Sequence, residues 1–247
     1  MKPIKKLEGK TVAIVGMGKS WFDYNLAKSH GVHFDEVWAI NAVADVIFHD
    51  RIFMLDPASR FLDSDDAGGQ TKSMAKICKT HKGPIYTCEL DKRCPGLIEY
   101  PIDEVVSEFK CHYLNNTVAY AVAFALWCKV GTLKLFGIDF TYKGNLYFAE
   151  SGRACVEFWL CKCMERGMTV EVANSSSLLD TVIPGDERLY GYHRLDDPKV
   201  ILADKNNNYR VFNKSSVQTS TKEQEAVLMD RYDSHLNKNK IGEPNKW

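Results

Sequence analysis

The segment Asn115–Phe140, NNTVAYAVAFALWCKVGTLKLFGIDF, constrains the fold more than any other stretch of the chain. It reads as a polar turn, an apolar helix and a short strand ending in Gly137-Ile138-Asp139. No charge interrupts Thr117–Cys128, so the helix is expected to be buried on most sides. Asn115, Asn116 and Thr117 stand where its N-cap belongs. The free N–H groups behind such a cap favour anions, above all phosphate. Asp139 falls at the carboxyl end of the following strand, where open α/β sheets place their ligands. Two ligand-binding positions therefore flank one repeat, which points to a nucleotide site.

Strand-like runs alternate with helix-like ones over most of the chain. Thr11–Gly16, Glu36–Ile40, Arg51–Leu55, Pro84–Cys88 and Met168–Ala173 read as strands, and Trp21–Ser29, Thr71–Thr80, Pro101–Phe109 and Gly152–Gly167 as helices. Ser64–Gln70 reads as an exposed loop. The pattern predicts an α/β fold: a doubly wound, mostly parallel Rossmann-like sheet spanning residues 1–188. After about Pro184 the composition turns polar across Lys205–Lys214 and Ser215–Lys222. Glu223–Leu236 reads as one amphipathic helix, and Asn237–Trp247 as a disordered end. Residues 189–247 are thus expected to be a C-terminal extension, a lid or an oligomerisation arm, rather than a second domain.

Composition removes several classes of function. Acidic and basic residues balance at 32 each, which argues against a non-specific nucleic-acid surface. No apolar run approaches the ~18–20 residues of a membrane span, and Thr11–Gly16 is too short for a signal-peptide core. The eight cysteines are scattered without ligand spacing, which suits reduced thiols in a cytoplasmic protein, the host cytoplasm if the source is viral. No metal site is expected from the histidines. Homo-oligomers are common among Rossmann-like transferases, and one is expected here.

Four strand ends carry glycine or polar punctuation: Gly16-Met17-Gly18, Asn41, Asp56 and Asp139. In a doubly wound sheet they share one rim. The glycines permit close backbone approach to a ligand, Ser20 is placed to cap the next helix, and Lys19 to neutralise a phosphate. The turn is not a full dinucleotide fingerprint, because Trp21 or Phe22 stands where a third glycine belongs, nor is it a Walker A loop. Ser175, Ser176 and Ser177 follow a strand at the same rim, placed to bond a base or sugar or to cap a helix. Glu150 and Arg153 flank Gly152 at the expected helix start, and His193 sits in the site-like context YGYHR.

VAIVGMGKSW, the asparagine after the second strand and NNTVAYAVAFALWCKVGTLKLFGIDF together resemble the glycosyltransferase family 42 sialyltransferases. Those begin with a strand and a GNGPSL turn, and carry a capped helix start and a G-I-D-F strand end. ACVEFWLCKCMERGMTVEVANSSSLLDT resembles their helix–strand–NSLL segment. The layout is shared with a broader Rossmann-like group that includes the archaeal hydroxymethylpterin diphosphokinase and motility-associated glycosyltransferases, and the whole chain resembles proteins of tailed bacteriophages. The resemblance spans residues 10–183 in blocks. It implies nucleotide contacts at Gly16, Met17, Gly18, Asn41, Asp56, Asn116 and Thr117, with Asp139 and Tyr142 in the matching Gly-Ile-Asp-Phe region. Met17 stands where the family has the asparagine that meets a CMP donor, Lys19 where it has proline, and Asp56 where the sialyltransferases have asparagine. The stretch YFAESGR lacks the family's catalytic histidine, which leaves Glu150, or His193 from the extension, as general base.

The expectation is a nucleotide-dependent transferase, foremost a glycosyltransferase with a nucleotide-sugar donor that needs no cofactor. Two other readings stay open. In one, Asp56 and Asp139 hold Mg²⁺ for phosphate or diphosphate transfer. In the other, the chain binds or sequesters a nucleotide without turnover. The acceptor is not specified by the sequence.

Overall fold

The computed structural model describes residues 1–64, 68–141, 145–185, 187–190, 199–203 and 208–213. Nine strands are described: β1 (Thr11–Val15), β2 (Glu36–Ile40), β3 (Arg51–Phe53), β4 (Ile85–Thr87), β5 (Leu97–Glu99), β6 (Thr132–Phe136), β7 (Thr169–Val172), β8 (Lys199–Ala203) and β9 (Tyr209–Asn213). The helices are α1 (Trp21–Ser29), α2 (Ser59–Leu62), α3 (Thr71–Thr80), α4 (Ile102–Phe109), α5 (Thr117–Trp127) and α6 (Leu146–Glu165). They fall into two compact units, Met1–Gly185 and the described part of 186–247.

In the first unit, seven strands form one sheet in the order β5-β4-β3-β2-β1-β6-β7. Every pairing is parallel, as in Val15↔Ala39 and Val15↔Phe136. The doubly wound Rossmann-like architecture read from the sequence is therefore the one observed. Strand alternation sends successive residues to opposite faces. Val12 and Ile14 join Trp38, Phe53, α5 and α6 in one core cluster. Ala13 and Val15 join Ala39, Ile52, Tyr24 and the α3 residues Met74 and Ile77 in the other.

Helix α5 is buried along nearly its whole length, as its charge-free sequence requires. Its Phe124 ring lies 5.8 Å from Trp38, 5.5 Å from Phe53 and 4.7 Å from Tyr86, joining three strands to one helix. At the amino end of the strands, Arg51 donates to Glu36 Oε2 at 2.6 Å and Oε1 at 3.0 Å, and to Tyr86 Oη at 3.1 Å. Trp38 Nε1 donates to the same carboxylate at 2.9 Å. Burial pushes the Glu36 carboxyl up, but the bonds from Arg51, Trp38 and Lys6 outweigh it and leave the pKa below its ordinary value.

Several elements differ from the sequence reading, which also has no counterpart for α2 and β8. Helix α6 begins at Leu146, not Gly152, with Asn145 Oδ1 accepting from Phe148 N at 3.0 Å. The three-residue edge strand β5 carries no apolar alternation to announce it. Tyr209–Asn213, within the stretch read as polar, is a strand paired antiparallel with β8. The amphipathic helix expected at Glu223–Leu236, the disordered end and the lid or arm role lie outside the described residues.

Candidate functional site

Strand order locates the site before any side chain does. The chain runs outward from β1 through β2, β3, β4 and β5, then returns to place β6 on the other flank of β1. That reversal is the switch point at which doubly wound sheets hold ligands. A cavity of about 330 Å³ opens there, within the usual size of a small-molecule site, ~300–1,000 Å³. Gly16, Met17, Gly18 and Lys19 form one wall, Gly137 to Thr141 a second, and Asn41, Gln70 and Val118 close it. A larger hollow of about 770 Å³ runs beside α1 and β7, and no residue of β1 or β2 lines it.

The two glycine turns interlock. Gly18 N donates to Gly137 O at 2.8 Å, and Gly16 N to Phe136 O at 2.8 Å. A β-carbon on Gly16 would stand 2.5 Å from Gly137 O. Gly137 itself has φ +66°, the left-handed region that favours glycine. Ser20 and Asp139 fasten the crossing. Ser20 N donates to Asp139 Oδ2 at 2.8 Å, Ser20 Oγ donates to Asp139 Oδ1, and Gly137 N donates to Ser20 Oγ at 2.9 Å.

Asn41 lines the same cavity and carries an unpaired polar atom. It starts a 3-10 turn, Asn41–Asp45, at φ +52°, and its buried Oδ1 has no hydrogen-bond partner among the described residues. A buried acceptor left unpaired in a cavity wall is costly unless a ligand donor meets it. Lys19 lines the same cavity, is exposed and makes no ion pair among the described residues. The amino end of α5 reaches the cavity at Val118. The Asn116 side chain is spent behind it: Oδ1 accepts from Ala119 N at 3.0 Å, and Nδ2 donates to Asn115 Oδ1 at 2.8 Å and Gly152 O at 3.1 Å.

Of the predicted residues, the fold brings Gly16, Met17, Gly18, Lys19, Asn41 and Asp139 onto one surface. Asn116 and Thr117 act from behind Val118 by building the helix end. Ser20 and Ser176 do not reach it. Ser20 is fully buried and, rather than capping α1, holds Asp139 and Gly137. Ser176 Oγ donates to Ile138 O at 2.7 Å and accepts from Leu178 N at 3.0 Å. Its neighbours are also occupied: Ser175 bonds Asp23 and Ser177 bonds Asp139 O. Asp56 follows β3 but pairs with Arg60 and is not among the described residues of the cavity lining. Of the two carboxylates a Mg²⁺ site would call on, Asp56 is paired with Arg60 and Asp139 with Ser20. Among the described residues no three His, Cys, Asp or Glu side chains cluster as metal ligands.

Glu150 is exposed on the first turns of α6, and Arg153 bonds Glu157 and Asp180 instead of lining the site. Gly152 presses on Phe140, a cavity residue, with its β-carbon position 2.7 Å from Phe140 Cε1, so the start of α6 adjoins the cavity edge. Tyr142 and His193 lie outside the described residues. The sequence reading missed Gln70, which sits in a stretch legible only as loop. No described helix is long and apolar enough to cross a membrane.

No protein-family model matches the chain, and no curated protein matches it. Solved structures do. The sialyltransferase CstII from Campylobacter jejuni, in complex with the substrate analogue CMP-3FNeuAc, matches over 89% of this chain and 98% of that chain, at 16% identity and TM-score 0.45. The same enzyme in complex with cytidine-5'-monophosphate matches over 89% and 99%, at 14% identity and TM-score 0.43. An alpha-2,3-sialyltransferase from Campylobacter jejuni in apo form matches over 94% and 99%, at 13% identity and TM-score 0.41.

Proposed function

We propose that the chain is a nucleotide-dependent transferase, a glycosyltransferase that takes a nucleotide-sugar donor. The observation that carries this reading is the switch-point cavity itself, whose lining brings together Asn41, with its unpaired Oδ1, Lys19 and Val118 at the α5 amino end. Asn41 would accept from a hydroxyl or amine of the nucleoside. Lys19 and the helix end would meet the phosphate. In transfer, an acceptor hydroxyl oxygen bonds to the anomeric carbon as the bond from that carbon to the phosphate oxygen breaks. The nucleotide leaves with the electron pair, and the charge it gains is stabilised by the same lysine and helix end. We assign the acceptor proton to Glu150, exposed on the first turns of α6. The engaged carboxylates of Asp56 and Asp139 favour donor binding without a divalent ion.

The test is a thermal-shift panel of the full chain against CMP, CMP-, UDP- and GDP-sugars, ATP and GTP, each with and without Mg²⁺. A ligand at ~100 times its dissociation constant adds ~2.7 kcal/mol of stability. One pyrimidine ligand should raise the melting temperature without Mg²⁺, and Asn41→Ala should abolish that rise. A shift confined to a triphosphate with Mg²⁺ would replace this reading with phosphate transfer. Glu150→Gln should keep the donor shift and lose turnover.

A further inference from the structure

His49 and His81 meet nitrogen to nitrogen, with Nε2 atoms 2.9 Å apart, ring centroids 4.9 Å apart and ring planes 24° from parallel. The surrounding backbone fixes their tautomers. His49 Nδ1 is 2.9 Å from the Ile47 carbonyl, which can only accept, so this nitrogen carries the proton and Nε2 is bare. His81 Nδ1 accepts from Gly83 N at 3.1 Å, so it is bare and Nε2 carries the proton. His81 Nε2–H therefore donates to His49 Nε2, and all four ring nitrogens are matched only while both rings are neutral. A proton on His49 sets two N–H groups against each other, and one on His81 sets N–H against the Gly83 amide.

The pair ties together two segments that lead to the cavity. The 3-10 turn Asn41–Asp45 runs into the loop that carries His49, and His81 is the C-cap of α3. The turn and α3 pack side by side. Asp45 accepts from Lys76 at 2.9 Å and Ser73 at 3.2 Å midway along them. Their cavity ends are Asn41 and Gln70. We propose that His49–His81 is a pH-sensitive latch on this wall, holding Asn41 and Gln70 in register while both rings are neutral and releasing them when either is protonated. The proposal rests on the cavity being the ligand site.

Asp50, on the His49 loop, is engaged by Val37 N at 2.8 Å. The β4–β5 turn meets His81 through Gly96, which brings no side chain. Lys79 and Lys82 flank His81 in sequence and add no negative charge. Burial is the largest influence on His49 and lowers its pKa, against the bond to Ile47 and the Asp50 charge. The folded chain therefore binds this proton less readily than the unfolded one. The latch contributes fully above the ordinary histidine value of ~6.5 and weakens as pH falls below it. Asp45 is held below its ordinary carboxylate value by Lys76 and Ser73, so that clamp fails only at lower pH.

The experiment compares the full chain with His49→Gln, His81→Gln and the double variant from pH 5 to 8. Imidazole ¹⁵N shifts should give the two opposite tautomers at pH 8. Denaturant stability of the wild type should decline below about pH 6.5, with the double variant flat across that window. Amide exchange at Asn41–Asp45 and along α3 should quicken at pH 5.5 in the wild type alone. The dissociation constant for CMP should rise about threefold to tenfold from pH 7.5 to 5.5, the value of one hydrogen bond, and not in the double variant. Identical tautomers, or equal pH profiles in wild type and double variant, would overturn the latch. A titrating pair with unchanged exchange in the two segments would overturn its link to the wall. If no nucleotide binds at any pH, the donor-site reading fails, while tautomers, stability and exchange still decide the latch.

Discussion

A β-carbon added at position 18 would sit 2.5 Å from Asp139 Oδ2 and 2.8 Å from Gly137 O, both held by the crossing they help to form. Neither neighbour is the free end of a flexible side chain, so the strain has no cheap outlet. Gly18→Ala should therefore cost about 1–3 kcal/mol and lower the melting temperature by roughly 2–4 °C per kcal/mol. A thermal melt checks it, and an unchanged midpoint would show that the two turns can part. The Gly16-x-Gly18 spacing was legible in the sequence as a place for backbone to approach a ligand. The closer approach is to the second glycine turn. That use was illegible because Ser20 and its partner Asp139 lie 119 residues apart. Asn41 was legible as strand-end punctuation, but its unpaired oxygen depends on every neighbour around it.

Helix α5 owes its direction to one side chain. Asn116 has extended backbone, φ −157° and ψ 155°, caps Ala119 N and ties the helix to Gly152 on α6. Asn116→Ala should destabilise the chain by about 1 kcal/mol through the lost cap alone. It should weaken donor binding as well, because the same cap aims the helix end at the cavity. Calorimetric titration with the donor from the thermal panel, alongside a melt, separates the two; full affinity would show that the helix end does not meet the ligand. Elements of this kind are local in cause and were legible from sequence: α1, β2 and α3 run between the residues expected. Helix α6 was not. Its first turn exposes Leu146, Tyr147 and Phe148, so periodicity read from burial misses it, and the Asn145 cap was the signal available. Among the described residues strand β5 pairs only with β4, and three residues give no period to detect.

At the scale of the whole molecule, the site exists because one strand order brings the ends of β1, β2 and β6 together, and that order is a tertiary fact. Sequence alternation implied a parallel sheet but not which strand lies beside which. Both core clusters are built from residues of the first unit, between Leu7 and Leu178, with their partly buried fringe running from Ile4 to Leu179. A domain of ~150 or more residues buries close to 70% of its unfolded surface, enough for independent stability. A chain ending at Gly185 should therefore unfold in a single cooperative transition, within a few degrees of the full chain. It should also keep the nucleotide shift, since every described residue of the cavity lining lies between Gly16 and Thr141. Retained binding with lost turnover would assign residues 186–247 a part in the reaction, where His193 lies. A chain that fails to melt cooperatively would mean that those residues complete the core.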